Sequence, residues 1–242
     1  MVAQLIKLQV APDLVDQVYQ ALLDAISGGI LAPGVRITQD ELAARFSVSR
    51  QPVLQALRLL KQDGLVQDAP GRGLLVAPLE PRAIAHLYQV RGALDALAAR
   101  LAAERGAVLS AGLIERGREA SRGHSVAAMI DADIAFHRAI YAASGNPLIE
   151  RSAQPHWVQL KRVMGAVLQS SRQREPLWDE HERIAEAIRQ RDAPRAAALI
   201  EHHGTQASSN LQQRLHAMLA AAAIHPTDSD SHNDNDDKGV LQ

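Results

Sequence analysis

The stretch RITQDELAARFSVSRQPVLQALRLL, residues 36–60, decides the fold of the first part of the chain. Thr38 and Glu41 have the spacing of a capping box and predict the start of a short helix. After a turn of about four residues, Ser49 predicts the N-cap of a second helix. The apolar positions of that second helix recur at helical spacing: Val53, Leu57 and Leu60. Two helices joined by so short a turn predict a helix-turn-helix.

The residues on either side extend this pattern to a compact domain. Apolar side chains at helical spacing predict a preceding helix that ends at a pair of glycines. The dipeptide Arg36-Ile37 is too short for anything but a strand stub. Downstream, residues 65–67 and 74–76 flank a Gly-rich tip and predict a two-stranded hairpin. The order helix, helix, turn, helix, hairpin predicts a winged helix-turn-helix domain over residues 1–78.

The polar side chains of this domain have the chemistry needed to contact DNA. The second helix of a helix-turn-helix enters the major groove, where Arg reads guanine and Gln reads adenine. An Arg between two glycines at the hairpin tip is suited to a minor groove. The residues predicted to contact DNA are Arg36, Arg45, Ser49, Arg50, Gln51, Gln55, Gly71, Arg72 and Gly73. The same charges are also consistent with the solvated surface of a small helical domain.

The run AISGGILAPGVRITQDELAARFSVSRQPVLQALRLLKQDGLVQDAPGRGLLV resembles the DNA-binding domain of the GntR family of bacterial transcription regulators. The similarity covers residues 13–76 and includes the G-x-L-x-P-G-x-R-I turn, the ELA helix and the V-S-R-x-P-V helix. The resemblance implies that Arg50, Arg36 and the wing tip Gly71–Gly73 contact operator DNA. One dipeptide departs from the family, which usually has Arg-Glu after Pro-Val where this chain has Leu54-Gln55. The missing Arg removes one usual DNA contact and indicates an atypical operator.

Composition limits the classes of protein that this chain can belong to. It has 242 residues, of which 47% are hydrophobic and 22% are charged, enough to bury one core or two smaller ones. No segment reaches the roughly 18 apolar residues of a membrane span, and the start lacks the apolar core of a secretory signal, so we expect a cytoplasmic protein. The absence of cysteine means that any metal must be held by His and carboxylate groups. A net charge of −1 leaves nucleic-acid binding to local basic patches.

Beyond the winged helix the pattern is helical almost throughout. Breaks marked by Gly, Pro and capping residues divide it into about six helices, with Ser110, Ser125 and Asp192 as predicted N-caps. We therefore expect a helical bundle over residues 79–224 and a mainly α protein overall. Residues 225–242 carry several Asp and few apolar side chains, which predicts a disordered acidic tail.

Four side chains of the bundle have the chemistry of a metal site. Asp133 and His137 are four residues apart on one predicted helix and therefore share a face. His181 and His203 align with the apolar stripes of two later helices, so we expect both to point into the bundle, where facing helices can gather ligands. The alternative is that each is a hydrogen-bonded core residue. His202 is the neighbour that competes with His203 for the inward position.

Residues 81 to about 215 resemble the FCD domain, the all-helical effector and dimerisation domain of the FadR subfamily of GntR regulators. The supporting segments are VRGALDALAARLAAER, DIAFHRAIYAASGNPLI and DEHERIAEAIRQRDAPRAAALIEHH. In metal-binding members an Asp and three His form the site, and the four side chains named above fall on those positions. This donor set suits Zn or Ni. Arg91, in the VRGALD motif, is a candidate partner for an effector carboxylate, and a surface Arg is the alternative.

Together these expectations describe a ligand-responsive transcription regulator. We expect a homodimer that presents two recognition helices to a pseudo-palindromic operator in double-stranded DNA. As a repressor, it would be released by a small carboxylate metabolite bound at the metal. The alternatives are a metal-dependent hydrolase, since an open His/Asp site can activate water, and a structural metal in a helical protein. No separate general base is recognisable near these motifs, so the sequence favours a regulator over an enzyme.

Overall fold

The computed structural model describes residues 14–168 and 175–224, and over these residues the protein is mostly helical. The first part contains α1 (Leu14–Ser27), β1 (Arg36–Ile37), α2 (Gln39–Phe46), α3 (Arg50–Gln62), β2 (Val66–Asp68) and β3 (Leu74–Val76). The second part contains α4 (Pro81–Glu104), α5 (Ala111–Arg122), α6 (Val126–Ser144), α7 (Pro147–Val167), α8 (Glu175–Arg189) and α9 (Ala193–Ile224). The predicted fold class is confirmed: a winged helix-turn-helix precedes six helices within the described part of the chain.

Local capping and packing explain the helix-turn-helix. Thr38 Oγ1 accepts a hydrogen bond from the Glu41 N–H at 3.3 Å and so caps α2. α2 ends where Ser47 adopts a left-handed conformation, with φ at 54°, and the chain turns toward α3. Ser49 occupies the N-cap position of α3, but its side chain makes no capping hydrogen bond. The predicted apolar positions of α3 are all buried: Val53, Leu57 and Leu60.

The strand stub has a larger role than the sequence indicated. β1 pairs antiparallel with β3, which places Arg36 opposite Leu75 and Ile37 opposite Leu74. β2 pairs antiparallel with the other edge of β3, so the sheet order is β1-β3-β2. The predicted two-stranded hairpin is therefore part of a three-stranded sheet. Ile37 and Val76 are buried and join this sheet to a small core shared with α1, α2 and α3.

The bundle is organised around α4, which packs against α9 along much of its length and also against α6, α7 and α8. The inward face of α4 carries small side chains: Ala98, Ala99, Ala102 and Ala103. Small side chains at a helix contact allow the two axes to approach closely. Aromatic and aliphatic side chains of α6, α7 and α8 fill the remainder of this core.

Two of the three predicted caps of the bundle form hydrogen bonds. Ser125 Oγ accepts from the Ala128 N–H at 3.1 Å at the start of α6. Asp192 Oδ1 accepts from the Arg195 N–H at 3.2 Å at the start of α9. Ser110 precedes α5 in the N-cap position without a side-chain hydrogen bond. The capping residues therefore predicted the start of all three helices, although only two of them accept a capping hydrogen bond through the side chain.

The winged helix and the bundle meet along α7. The predicted division after residue 78 falls in the connection 77–80 between β3 and α4. Val158 of α7 packs against the core of the winged helix, and Gln159 Nε2 donates a hydrogen bond to the Asp63 carbonyl at the end of α3. A single helix of the bundle thus contacts the end of the DNA-reading helix predicted from the sequence.

Two further expectations concern the tail and membranes. The predicted acidic tail, residues 225–242, lies outside the described residues. Among the helices that the structure describes, none has both the length and the hydropathy needed to cross a lipid bilayer.

Candidate metal centre and nucleic-acid interface

A polar cluster inside the bundle is built from three helices. Asp133 and His137 lie about one turn apart on α6, His181 is on α8 and His203 is on α9. One donor atom of each residue lies within 4.8 Å of the others. His181 Nε2 is 3.3 Å from His203 Nε2 and 3.4 Å from Asp133 Oδ1. The fold therefore brings together the four residues that the sequence singled out, and all four are buried.

Helical periodicity explains why these side chains point inward. Ile184 lies three positions after His181 on the buried face of α8, and Ile200 lies three positions before His203 on the buried face of α9. His202, one position away, is exposed. The register of α9 therefore assigns the inward position to His203, as predicted.

Two carboxylates lie behind the histidines. His203 Nδ1 donates a hydrogen bond to Glu180 Oε2 at 2.8 Å, and this bond holds the pKa of Glu180 below its usual range. Nε2 of His203 then faces the cluster. His137 Nδ1 lies 3.5 Å from Asp95 Oδ1, at the limit of hydrogen-bond distance. Partners of this kind fix the orientation of ligating imidazoles in metal sites.

A buried ion pair adjoins the cluster. Arg91 Nε donates to Asp95 Oδ2 at 2.9 Å, and both side chains are 1% exposed. Tyr141 donates its hydroxyl hydrogen to the other oxygen of Asp95. Burial alone would raise the pKa of Asp95, but the Arg91 charge together with the contacts of His137 and Tyr141 outweighs this effect and holds that pKa well below its usual range. The Arg91 guanidinium also lies over the Trp157 ring, 4.1 Å from its centroid.

Arg91 is therefore a core residue, and the alternative of a surface Arg is wrong. Its Nη1 atom is buried and has no hydrogen-bond partner among the described residues. Buried donors in native proteins are rarely left without a partner, and an unused guanidinium N–H is suited to a ligand carboxylate.

A cavity of about 270 Å³ adjoins both the cluster and Arg91. Its polar wall includes Asp133 and His203 of the cluster, together with Arg91 and Glu180. Much of the remaining wall is apolar: Met129, Ile130, Met164, Leu177, Trp178 and Leu211. A molecule in this cavity would touch metal-ligating groups and the Arg91 guanidinium at the same time.

The donor set fits a divalent transition metal. In a tetrahedral site with bonds of about 2.0–2.1 Å, ligand atoms lie about 3.3–3.4 Å apart, which matches the two short separations in the cluster. Burial lowers the pKa of His137 and of His181 below the ordinary imidazole value, which favours the neutral form that binds metals. His137 Nε2 is buried and has no hydrogen-bond partner among the described residues, as expected of a metal ligand.

The start of α3 displays the residues predicted to read DNA. The exposed side chains there are Ser49, Arg50, Gln51 and Gln55. Arg50 Nε pairs with Asp40 Oδ1 of α2 at 2.8 Å, and the Arg50 carbonyl accepts a hydrogen bond from Gln39 Nε2, also at 2.8 Å. Exposed ion pairs stabilise a fold little. Arg50 can therefore exchange Asp40 for a DNA group without loss to the winged helix.

Arg36 supports the wing loop, in addition to the DNA contact that stays a prediction for this exposed residue. Its Nη1 and Nη2 atoms donate to the carbonyls of Arg72 and Pro70, at 2.6 and 2.8 Å. Two of its donors are thus used inside the protein, and the side chain holds the wing loop against the sheet. The sequence indicated a direct DNA contact and gave no sign of this supporting bond.

The wing tip depends on glycine. Gly73 has φ at 92°, and a Cβ at this position would lie 3.1 Å from the Ile37 carbonyl oxygen. Gly71 has φ at 87° on the other side of Arg72. Arg72 is exposed between them, and Arg45 is exposed at the end of α2. These two cations remain available for DNA contacts.

Comparison with known families assigns both parts of the chain. Residues 14–76 match the bacterial regulatory proteins of the gntR family, and residues 86–207, half of the chain, match the FCD domain. This chain belongs to the GntR family. The resemblance inferred from the sequence is confirmed for the winged helix and for the bundle.

Individual relatives agree with the GntR assignment. The chain is 30% identical over 178 residues to an HTH-type transcriptional regulator in an unstable DNA locus of Streptomyces ambofaciens, covering 72% of this chain and 74% of that protein. It is 26% identical over 190 residues to a probable D-xylose utilization operon transcriptional repressor of Paenarthrobacter nicotinovorans, covering 77% and 84% of the two chains.

Solved structures show the same fold. Escherichia coli McbR/YncC superimposes with a TM-score of 0.71 at 22% identity, covering 86% of this chain and 100% of that one. A putative GntR regulator from Rhodococcus sp. RHA1 superimposes with a TM-score of 0.67 at 22% identity, covering 81% and 96%. A GntR protein with an FCD domain is a DNA-binding transcription regulator and not an enzyme.

Sequence reasoning missed the residues behind the cluster of this GntR protein. Asp95 follows Arg91 by four positions, the spacing of a helical ion pair, and Glu180 directly precedes His181. Those were the only available signals. Tyr141 and Trp157 gave none, because their contacts depend on how α6 and α7 pack against α4.

Proposed function

We propose that this GntR regulator is a homodimeric repressor, and that a small carboxylate bound beside a metal ion in the FCD domain releases it from operator DNA. The observation that carries the proposal is the placement of Asp133, His203 and Arg91 in the wall of one cavity. Metal ligands and a guanidinium with an unused donor are the two groups that bind a chelating carboxylate well.

The metal is proposed to be Zn or Ni, as expected for one carboxylate and three neutral imidazoles. The residues that would hold it are Asp133, His137, His181 and His203. A bound ion would act as a Lewis acid toward the oxygen atoms of the effector. Arg91 would pair with the effector carboxylate through Nη1 while its Nε remains bonded to Asp95.

DNA binding is proposed to use the exposed start of α3 for base edges and the wing tip for the minor groove. Ser49, Gln51 and Gln55 would accompany Arg50 in the major groove, while Arg36 positions the wing. Two copies of the chain would contact the two halves of a pseudo-palindromic operator. Repression, rather than activation, is supported by the Paenarthrobacter relative, which is described as a repressor. Such a regulator acts on chromosomal DNA in the cytoplasm.

Release from DNA requires only a modest difference in effector affinity. An effector that lowers operator affinity 100-fold must bind the released form more tightly by about 2.7 kcal/mol. Charge-assisted hydrogen bonds contribute about 1.5–3 kcal/mol each, so the Arg91 pair supplies this difference if it forms only in the released form.

A structural metal is the second candidate, because a buried cluster that joins α6, α8 and α9 would also stabilise the bundle. Removal of the metal distinguishes the two roles. If the ion is structural, its removal lowers the melting temperature equally with and without effector. If the ion anchors the effector, its removal abolishes the stabilisation that the effector provides. The hydrolase alternative is set aside, because the family and the relatives are regulators.

Elemental analysis of untagged protein purified without chelator tests the metal site. We expect about one Zn or Ni per chain in the wild type and almost none in His137→Ala. His202→Ala is the matched control, because this exposed neighbour of His203 should leave the metal content unchanged. Wild-type protein without metal would contradict the metal site and leave the DNA-binding assignment intact.

Fluorescence anisotropy on operator DNA then tests the effector. Hydroxy acids, dicarboxylates, sugar acids and aromatic acids are titrated into the metal-loaded complex. An acid that releases wild-type protein but not His137→Ala supports the proposal. Release that is equal in both proteins would contradict a role for the metal in effector binding.

A further inference from the structure

A second cleft, of about 480 Å³, lies where the winged helix meets the bundle. Its wall includes Ala77 and Glu80 of the connection, Ala83 in the first turn of α4, and His156 and Arg162 of α7. None of the metal-cluster residues lines it. It is therefore separate from the effector cavity described above.

Arg162 is the unusual residue in this cleft. Its side chain is 4% exposed, and no described carboxylate lies within 4.0 Å of its guanidinium. Nη2 donates to the Ala77 carbonyl, whereas Nε is buried and has no hydrogen-bond partner among the described residues. Burial lowers the pKa of Arg162 to about 10, which reflects a cation that no anion compensates. A buried charge of this kind is costly unless an opposite charge reaches it.

The start of α4 supplies a second feature that favours an anion. Glu80 is the N-cap of α4, but its side chain makes no capping hydrogen bond, and Pro81 occupies the first turn. The N-terminal end of a helix carries a partial positive charge and N–H groups that favour anions. Ala83 and Ile84 place this end of α4 in the wall of the same cleft. Two independent groups that attract negative charge therefore face one space.

We propose that this cleft binds a small oxyanion, a carboxylate or a phosphate, between the Arg162 guanidinium and the first turn of α4. The unused Nε donor of Arg162 supplies a charged hydrogen bond. The start of α4 adds the positive potential of the helix dipole, because Pro81 has no N–H and the Ala83 N–H already donates to the Glu80 carbonyl. His156, which is half-buried, and Gln67 add polar groups to the wall. His86 is exposed at its edge.

Glu80 is the acidic residue of the wall, and its own carboxylate is the internal competitor for this position. It is exposed and forms no ion pair with Arg162. Neutralising Glu80 distinguishes an external anion from the Glu80 carboxylate as the partner of Arg162. If the cleft takes an external anion, Glu80→Gln binds the anion as tightly as the wild type or more tightly. If Glu80 itself neutralises Arg162, only Glu80→Gln binds an anion.

The position of the cleft gives the site a defined consequence. Arg162 on α7 contacts the carbonyl of Ala77 in the connection, so an anion held there would join α7 to the start of α4. It would favour the arrangement in which the winged helix is docked on α7. Its action on DNA binding would thus be independent of the metal and its effector.

Isothermal titration of the full chain with inorganic phosphate, sulfate and malonate, at constant ionic strength in chloride, tests the site. We expect saturable binding of about one anion per chain, weakened at least about tenfold in Arg162→Gln, because this variant loses both the charge and the unused Nε donor. Arg151→Gln is the matched control, because Arg151 is exposed on the same helix outside the cleft. The phosphate and malonate arms show which oxyanion is preferred.

Arg162→Lys replaces Arg162→Gln in this test if circular dichroism shows that Arg162→Gln does not fold. Lysine keeps the charge but loses the planar fork, so intermediate affinity is expected. Equal binding by wild type and Arg162→Lys, or no saturable binding by the wild type, overturns the proposal. A third outcome is that free anions do not bind and that Arg162→Gln loses only affinity for DNA. Arg162 would then contact DNA phosphates, and the proposal would also be overturned.

Discussion

His203 Nδ1 and Glu180 Oε2 lie 2.8 Å apart, so a carboxylate of α8 fixes the imidazole of α9 with its other nitrogen toward the cluster. Glu180→Gln removes the charge from this bond and keeps the shape of the side chain. We expect metal affinity to fall about 10- to 100-fold, because such partners orient and polarise ligating imidazoles. Competition with a chromophoric chelator measures the change.

Glu182→Gln is the control for this prediction, because Glu182 is exposed and pairs with Arg118 at the surface. It should bind metal as the wild type does. Equal affinities for wild type and Glu180→Gln would show that the 2.8 Å hydrogen bond has no part in metal binding.

Arg50 on the exposed start of α3 should determine sequence preference. Arg50→Ala removes the proposed base contact, and we expect the discrimination between operator and scrambled DNA to fall by about 1–3 kcal/mol. Arg58 lies farther along the same helix and is also exposed. Arg58→Ala should weaken binding to operator and to scrambled DNA to a similar extent. Gel-shift titrations on both sequences compare the two variants. Unchanged discrimination in Arg50→Ala would contradict the assigned role.

Gly117 of α5 leaves room for Trp178, which lines the cavity beside the metal cluster. A Cβ at position 117 would lie 2.0 Å from the Trp178 ring, which is itself 4.6 Å from the His181 ring between centroids. Gly117→Ala should therefore displace Trp178 and destabilise the protein by about 1–3 kcal/mol. Urea unfolding followed by circular dichroism measures the loss, and tryptophan fluorescence reports the displacement.

Gly112→Ala on the same helix is the matched control. A Cβ there meets the flexible end of Arg116 at 3.1 Å and Ser110 Oγ at an ordinary contact distance of 3.5 Å, so the change should be neutral or slightly stabilising. If both alanine variants unfold at the same urea concentration as the wild type, the contact between α5 and Trp178 is not as close as described.

The Arg91–Asp95 pair should make stability depend on pH. Asp95→Asn leaves Arg91 buried without a carboxylate, and we expect the free energy of unfolding at pH 7 to fall by about 3–5 kcal/mol. The folded-state pKa of Asp95 lies below its unfolded value, so its contribution is present above the ordinary carboxyl pKa of about 4 and is lost as the pH falls below it. The difference between wild type and variant should therefore narrow at low pH.

Urea unfolding of both proteins at a series of pH values from neutral to acidic checks this prediction. Asp131→Asn is the control, because its carboxylate forms an exposed ion pair with Lys161. A constant difference between wild type and Asp95→Asn across the series would contradict the assigned role of the Asp95 charge.

The sequence was most informative where one helix alone sets the geometry. Asp133 and His137 share a face by spacing, and the apolar neighbours of His181 and His203 turn both inward, so four ligands on three helices could be predicted. The sequence was less informative where two elements must meet. Asp95 approaches His137 only because α4 packs against α6, and no local pattern encodes that crossing.

The winged helix shows the same limit. Its helices follow from capping and apolar spacing, but the pairing of β1 with β3 joins residues far apart in the chain. The sequence therefore gave no sign that the guanidinium of Arg36, an exposed residue as predicted, is bonded to the carbonyls of Arg72 and Pro70.

The contact of Gln159 with the Asp63 carbonyl connects α7 of the bundle to the C-terminal end of α3. α3 has 13 residues and is about 20 Å long, and it is held at the end opposite to Arg50. Because α3 packs along its length in the winged-helix core, it tilts together with that domain. A tilt of the domain by about 5° about this contact would move the Arg50 end of α3 by about 1.7 Å, more than the variation in donor–acceptor distance that a hydrogen bond to a base edge tolerates. α7 also carries Trp157, whose ring lies 5.1 Å from that of His137. A small rotation of α7 at the metal cluster would therefore be enough to move the Arg50 end of α3 out of register with the base pairs.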